Sequence, residues 1–370
     1  MHSLHKLGLS LTITASLLTG CASTSTTTST QRSLESFKSE AACYNRDTEP
    51  YTAVVDSHLH YRPFGGKAVS FTEVNDYLRK TSIRFVNVYG IGQMVPTNSL
   101  CTYYLKCPGT PVLPTIRNDF VNAANIVEFK PKDLHLTLSM TFTDLANPEP
   151  TVGLMELYEK EYPGLFRWMG EVNLIKQALA NNNNHHSAAT PQNIHDWADF
   201  MAVLREKDIP INIHSDLGSD KQPTKYLHLM EQALELYPDN KIVWAHMGLS
   251  KELKTMKASE HIAIMQRLLD QYPKLMLDIS WRVIDDYYFS KSEYQSQYVD
   301  FFNNYSERIL PGTDFVASWD KTFAVYEKEL EVTGRIHQYL NDDAFRNIAL
   351  GENYFRLLNL DYQAPQVCQK

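Results

Sequence analysis

The sequence has no run of lysine or arginine, no glycine-rich turn after its first apolar segment, and few cysteines. With a formal charge of -8 over 370 residues, the first absence sets nucleic acid aside as a partner, because phosphate binding needs a basic footprint. The second weighs against an open, doubly wound sheet, the alternative architecture for an alternating chain, whose phosphate turn follows the first strand. A long apolar span is missing too. The stretch from Leu7 to Leu18, after a weakly basic start at Lys6, is too short and too soon followed by polar residues to be a stable membrane span, so residues 1–20 read as a secretion signal.

That leader ends in "LLTGC", which resembles a bacterial lipobox. The resemblance implies that Cys21 is lipidated and becomes the new N-terminus, with the protein anchored through lipid in the cell envelope. The absence of aspartate after Cys21 points to the outer membrane, facing the periplasm. An ordinary secretion signal with a chance cysteine is the competing reading. The Ser/Thr tract that follows cannot bury anything, so residues 21–50 are expected to be a flexible tether and N-terminal extension. Export places the remaining cysteines, Cys43, Cys101, Cys107 and Cys368, in an oxidising compartment. Cys101 and Cys107 could close a small loop, and Cys43 and Cys368 can pair if the fold brings its ends together. Four free thiols remain the alternative.

From Tyr51 onward a short apolar run, a loop and an amphipathic stretch recur. The apolar runs are "TAVVDSH", "IRFVNVYG", "LHLTLSMTF", "LFRWMGEV", "IPINIHSD", "KIVWAHMG", "KLMLDIS" and "RILPGTDF". Helical patterns lie between them, such as the one that Thr190 caps with Pro191 at its first position. This alternation predicts an α/β fold, a (β/α)8 TIM barrel, as a single domain over 51–370 with a long loop insertion at 90–133 roofing one face.

In such barrels chemistry sits at the C-terminal ends of the strands, and that is where the ligand-type residues fall. In "TAVVDSHLHY", alternation puts Asp56, His58 and His60 on one face, so the two imidazoles can approach one ion. Glu171, His214, His246 and Asp314 end the fourth, fifth, sixth and eighth runs. Imidazole and carboxylate are the donors that zinc and similar divalent ions prefer. His135 is expected to be structural, His195, His228, His261 and His337 to be surface residues, and His185 and His186 to lie in a solvated loop.

The segments "DSHLH", "GEVNL", "INIHSD", "VWAHMG", "PGTDF" and "NIALGENYFRLLNL" together resemble the amidohydrolase superfamily, in its amidohydrolase-related group. The resemblance implies one or two divalent ions, zinc foremost, held by His58, His60, His214 and Asp314, with His246 as a second-metal ligand or proton-handling residue. Glu171 would bridge, ligate or orient. The implied activity is hydrolysis of an amide, ester or lactone bond of a small molecule by hydroxide generated at the ion, with Asp314 and His246 as the catalytic pair. The alternatives are a metal-dependent non-oxidative decarboxylase on the same scaffold, and a non-catalytic metal- or ligand-binding lipoprotein. Asp216, Arg282 and Asp278 are the candidate substrate contacts, Arg282 because its fork suits a carboxylate, with a surface salt bridge as its alternative and a structural hydrogen-bonding role as that of Asp278. Lys176 and Tyr89 are weaker candidates.

Overall fold

A computed structural model of the chain describes residues 32–38, 42–96, 101, 103, 107–181 and 185–369. The leader 1–20, the lipid-acceptor candidate Cys21 and the Ser/Thr tract therefore lie outside the described residues. Arg32–Lys370 forms one compact unit. Among the described residues no helix is long and apolar enough to cross a membrane.

Each apolar run builds a strand: β1 (Val55–His60), β2 (Phe85–Tyr89), β3 (His135–Met140), β4 (Phe166–Ile175), β5 (Ile211–Ser215), β6 (Ile242–Trp244) and β7 (Leu275–Asp278). The eighth gives two short pieces, β8 (Ile309–Leu310) and β9 (Phe315–Val316). All nine lie parallel in one curled sheet, in the order β8-β7-β6-β5-β4-β3-β2-β1-β9, interleaved with helices as in a TIM-type fold. The strands read as near-continuous apolar runs because both faces of a parallel sheet are covered. Every position of β1 is buried, for example. The eighth run divides at Pro311, which has no N–H for a ladder. Its carbonyl instead accepts from Ser57 N and Oγ, and Asp314 N donates to the His58 carbonyl at 2.8 Å. Gly312 makes this approach feasible, since a Cβ there would stand 3.0 Å from both His58 and Ser280.

The expected helix from Thr190 is two helices, Pro191–His195 and Ala198–Glu206. Thr190 and Asn193 cap the first reciprocally. The break coincides with Trp197, which is buried and donates from Nε1 to the Leu145 carbonyl at 3.0 Å. Residues 32–50, assigned from sequence to the tether, include packed segments. Phe37 is fully buried against Phe85 and Phe355, Tyr44 pairs with Val367, and Cys43 is disulfide-bonded to Cys368. Cys101 and Cys107 form the second disulfide. Both bonds are the pairings the sequence offered.

Two histidines expected at the surface are instead core residues. His261 lies between Tyr298 Oη and the Met247 carbonyl, each at 2.9 Å, and His337 donates to the Thr52 carbonyl at 3.0 Å. Their place in helical patterns suggested exposure, but each finds a partner in the adjoining layer. Burial pushes both imidazoles down to about 4, so the folded state holds them neutral where the unfolded chain titrates near 6.5. Their contribution to stability is present above pH 6.5 and is lost as pH falls toward 4, since the unfolded state then binds more protons. At pH 5 the loss should be about 2 kcal/mol for each. Urea melts at pH 7 and pH 5 check this: in His337→Asn the pH-dependent loss should shrink by that amount.

Candidate metal centre

Local backbone irregularities aim the site's side chains inward. The register of β1 against β2 shifts between Asp56 and Leu59, an extra residue that ends simple alternation. Asp56 therefore does not join the two histidines. Its carboxylate accepts from Thr313 N at 2.9 Å, Thr313 Oγ1 at 2.7 Å and Tyr326 Oη at 3.3 Å, which fixes the turn carrying Asp314. Buried there, Asp56 is pushed up to about 6. In β4 a similar shift falls between Met169 and Val172, so Glu171 is a mid-strand residue and not a strand end. Gly170 is required beside it: its φ is +100°, and a Cβ would come within 2.2 Å of the Asn212 carbonyl oxygen.

His58, His60, Glu171 and Asp314 converge. The Nε2 atoms of His58 and His60 stand 3.2 Å apart. Asp314 Oδ1 lies 3.6 and 3.3 Å from them, and Glu171 Oε2 3.8 and 3.5 Å. His246 Nε2 is 3.7 Å from Glu171 Oε1. The other ring nitrogens are occupied. His58 Nδ1 donates to Asp278 Oδ2 at 2.6 Å and His60 Nδ1 to the Gly90 carbonyl at 2.7 Å. His246 Nδ1 faces Ser280 Oγ at 3.1 Å. These outer bonds fix the tautomers and leave the inner Nε2 atoms as lone-pair donors.

His246 follows β6 in a left-handed turn, with φ of 54° at His246 and 51° at Met247. Such strained backbone persists only when its surroundings over-determine it. His261, bonded to the Met247 carbonyl, is one such constraint.

Two lone pairs facing each other across 3.2 Å, with two carboxylates beside them, repel unless a cation sits among them. The donor set thus fits a divalent ion, and two overlapping groups could hold one: His58, His60 and Asp314, and His58, Glu171 and His246. In each the donor atoms lie within 4.8 Å of one another. The electrostatics agree. Burial pushes the His58 and His60 imidazoles down, yet Asp278 for the first and Asp314 and Glu171 for both raise them above the ordinary value. Burial likewise opposes ionisation of Glu171 and Asp314. Lys176 and His214 nevertheless hold Glu171 well below the usual range, and His60 and His58 do the same for Asp314.

The remaining sequence candidates fall differently. His214 belongs to neither ligand group among the described residues: its Nδ1 meets Glu171 Oε1 and its Nε2 meets Asp216 Oδ1 at 2.9 Å. Asp216 also anchors Gln177 N at 2.7 Å, so it orients His214 from the cavity wall. Asp278 is fully buried behind His58 and off the cavity wall. Arg282 does line the cavity, but its fork already faces Asp286 at 3.2 Å and Glu329 at 3.5 Å. Lys176 Nζ lies 2.9 Å from Glu171, and Tyr89 packs its ring 4.5 Å from that of His58. His186 pairs with Asp144. Tyr104 lies outside the described residues.

A cavity of about 380 Å³ opens above the cluster, lined by His60, Glu171, His214, His246 and Asp314 below and by Phe64, Tyr103, Trp281 and Phe315 on its walls. Tyr103 brings the insertion into contact with the site, inside the loop that Cys101–Cys107 closes. Sequence reading missed Lys251 and Lys321, which also line it. They sit in loops without periodicity, and no spacing marks them.

Residues 180–353, a little under half of the chain, match the family model described as Amidohydrolase. No curated protein matches the chain in sequence. Among solved structures, an amidohydrolase from Burkholderia multivorans with bound zinc aligns at a TM-score of 0.50 and 11% identity, covering 83% of this chain and 99% of that one. Dihydroorotase from Saccharomyces cerevisiae aligns at 0.49 and 11%, covering 84% and 85%. Dihydroorotase from Campylobacter jejuni aligns at 0.49 and 13%, covering 84% of each chain. At such identities the likeness is one of fold.

Proposed function

We propose that this chain is a metal-dependent hydrolase of the amidohydrolase type, acting on an amide, ester or lactone bond of a small molecule. The observation that carries this reading is the facing pair of His58 and His60 Nε2 atoms, 3.2 Å apart and flanked by two carboxylates that, with His60, line the floor of the cavity. The ring of strands is read as closed through the eighth run, since β8 ladders with β7 and β9 with β1 along one continuous segment. This puts the cluster at the C-terminal face, where such folds carry chemistry.

His58, His60 and Asp314 would hold one divalent ion, and Glu171 and His246 would complete that site or share His58 with a second. A bound divalent ion supplies Lewis acidity, polarising a carbonyl and acidifying water. Asp314 Oδ1 stands where it can take a proton from attacking water and return it to the leaving group. His60 and His58 hold its carboxyl below the usual range, so it is ionised. His246 presents Nε2 toward the same space and is held by Ser280; where it does not ligate the ion, its protonated form can donate from Nε2 to an oxyanion that forms there. Lys176 neutralises Glu171 and limits the charge that one ion must balance. Zinc is the favoured metal on the donor set. Lipid attachment at Cys21 in the cell envelope is proposed from the leader alone, and two disulfides suit an exported chain.

The test is removal of metal by a chelator, then its return, with turnover followed on a panel of small amides, esters and lactones. The reading requires turnover that disappears with the metal and comes back with zinc or manganese. Release of carbon dioxide without hydrolysis would establish the decarboxylase instead. Retention of one small ligand with no turnover would establish a binding protein.

A further inference from the structure

The sequence offered Arg282 for carboxylate recognition or for a surface salt bridge, and the structure commits that side chain to Asp286 and Glu329. Apart from Lys176, which pairs with Glu171, two other cations line the cavity. Lys321 Nζ rests 4.9 Å from the centroid of the Phe315 ring, and Lys251 Nζ rests 5.6 Å from that of Trp281. No carboxylate of the described residues comes within ion-pair distance, 4.0 Å, of either ammonium. Asp314 at the cavity floor, Glu329 and Asp320 all act on Lys321 more strongly than Lys251 does. Acidic groups share the wall, namely Glu252, Asp320 and Glu329, of which Glu329 faces Arg282.

Both ammonium groups line one cavity, each set against an aromatic face and outside ion-pair distance of a carboxylate, so both are placed to donate to an anion there. Burial lowers the pKa of Lys321 despite the carboxylates nearby, and a bound anion would offset that. Aromatic faces hold an ammonium in place without neutralising it. Phe315 adjoins Asp314 in the chain, so a group bound at Lys321 is carried beside the proposed proton carrier.

We propose that Lys251 and Lys321 form an anion subsite, so that the substrate carries a carboxylate in addition to the bond that is cleaved. The carboxylate lies between the two ammonium groups, and an apolar or aromatic body fills the space between Trp281 and Phe315. This deepens the hydrolase reading and rests on it for the word substrate, but the subsite can be tested without turnover.

Benzoate and benzamide serve as probes, titrated calorimetrically into the zinc-loaded protein. Benzoate should bind at least tenfold more tightly than benzamide, and Lys321→Ala and Lys251→Ala should each remove most of that preference. Equal binding of the two probes overturns the proposal. So does a preference for benzoate that survives in both variants, since the carboxylate then sits on the metal. Matched panel substrates, free acid against methyl ester, provide the kinetic arm. In Lys321→Ala the fall in kcat/KM should be at least tenfold larger for the acid than for the ester and should appear in KM; equal falls count against the subsite. If no panel member is turned over while benzoate still discriminates, the hydrolase reading fails and the subsite stands.

Discussion

Asp314→Asn should lower kcat by about 10²–10⁴-fold, the range that a positioned general acid or base contributes, while the protein folds normally. The backbone of Asp314 is fixed without its side chain, through its N–H to the His58 carbonyl and through the clamp of Asp56 on Thr313. Asparagine matches aspartate in size, and its residue type tolerates the left-handed φ of 54° found here. What changes is chemical. The amide carries no charge and cannot accept a proton, so the water that attacks loses its acceptor and the leaving group its donor. Metal content should stay near that of the parent, because asparagine keeps an Oδ1 donor beside His58 and His60, and Glu171 and His246 remain. The measurement is kcat alongside metal per chain. A kcat within tenfold of the parent would remove Asp314 from proton transfer. Loss of metal together with activity would show that its charge is needed to hold the ion and would leave its proton role without support.

Most of this arrangement could be read from the chain, and the parts that could not share one physical origin. The eight apolar runs became strands because burial on both faces of a parallel sheet demands continuous Val, Ile and Leu. Ligand-type residues at the ends of these runs marked His58, His60 and His246, the last now just beyond its strand. What alternation could not show was where the pleat slips. The extra residue in β1 turned Asp56 away to Thr313, and the one in β4 brought Glu171 inward from mid-strand. Nor could spacing distinguish a donor from the group behind it. His214 and Asp278 look like site residues in sequence. Yet His214 spends both nitrogens on carboxylates, and Asp278 holds His58 from behind. His261 was unreadable for the same reason: its value lies in the Met247 carbonyl, which reaches it only once the turn after β6 is formed. Lys251 and Lys321 are loop residues placed by tertiary contact alone.

The second large effect is expected at the ligands themselves, and it should be graded. His60→Ala removes a nitrogen that faces His58, Asp314 and Glu171 at once, so tight metal binding should be lost. Asp278→Asn leaves every donor atom present and should weaken binding by about 10–100-fold, the usual cost of removing a group that orients a ligand. The reason is countable. Three donors converge on the Asp278 carboxylate: His58 Nδ1 at 2.6 Å, Ser280 N at 2.6 Å and Asn212 Nδ2 at 3.2 Å. Asparagine offers one oxygen to them, so at least one buried donor must face an amide N–H. If that donor is His58, its tautomer is released and Nε2 no longer presents a fixed lone pair. If it is Ser280, the hydroxyl that holds His246 shifts. Metal that binds only the folded state stabilises it by about 4 kcal/mol at a thousandfold excess over Kd, so melting temperature reports the series directly. Zinc should raise Tm most in the parent, less in Asp278→Asn and not at all in His60→Ala. A competition titration giving His60→Ala a Kd within tenfold of the parent would show that the two Nε2 atoms are not a shared seat for the ion.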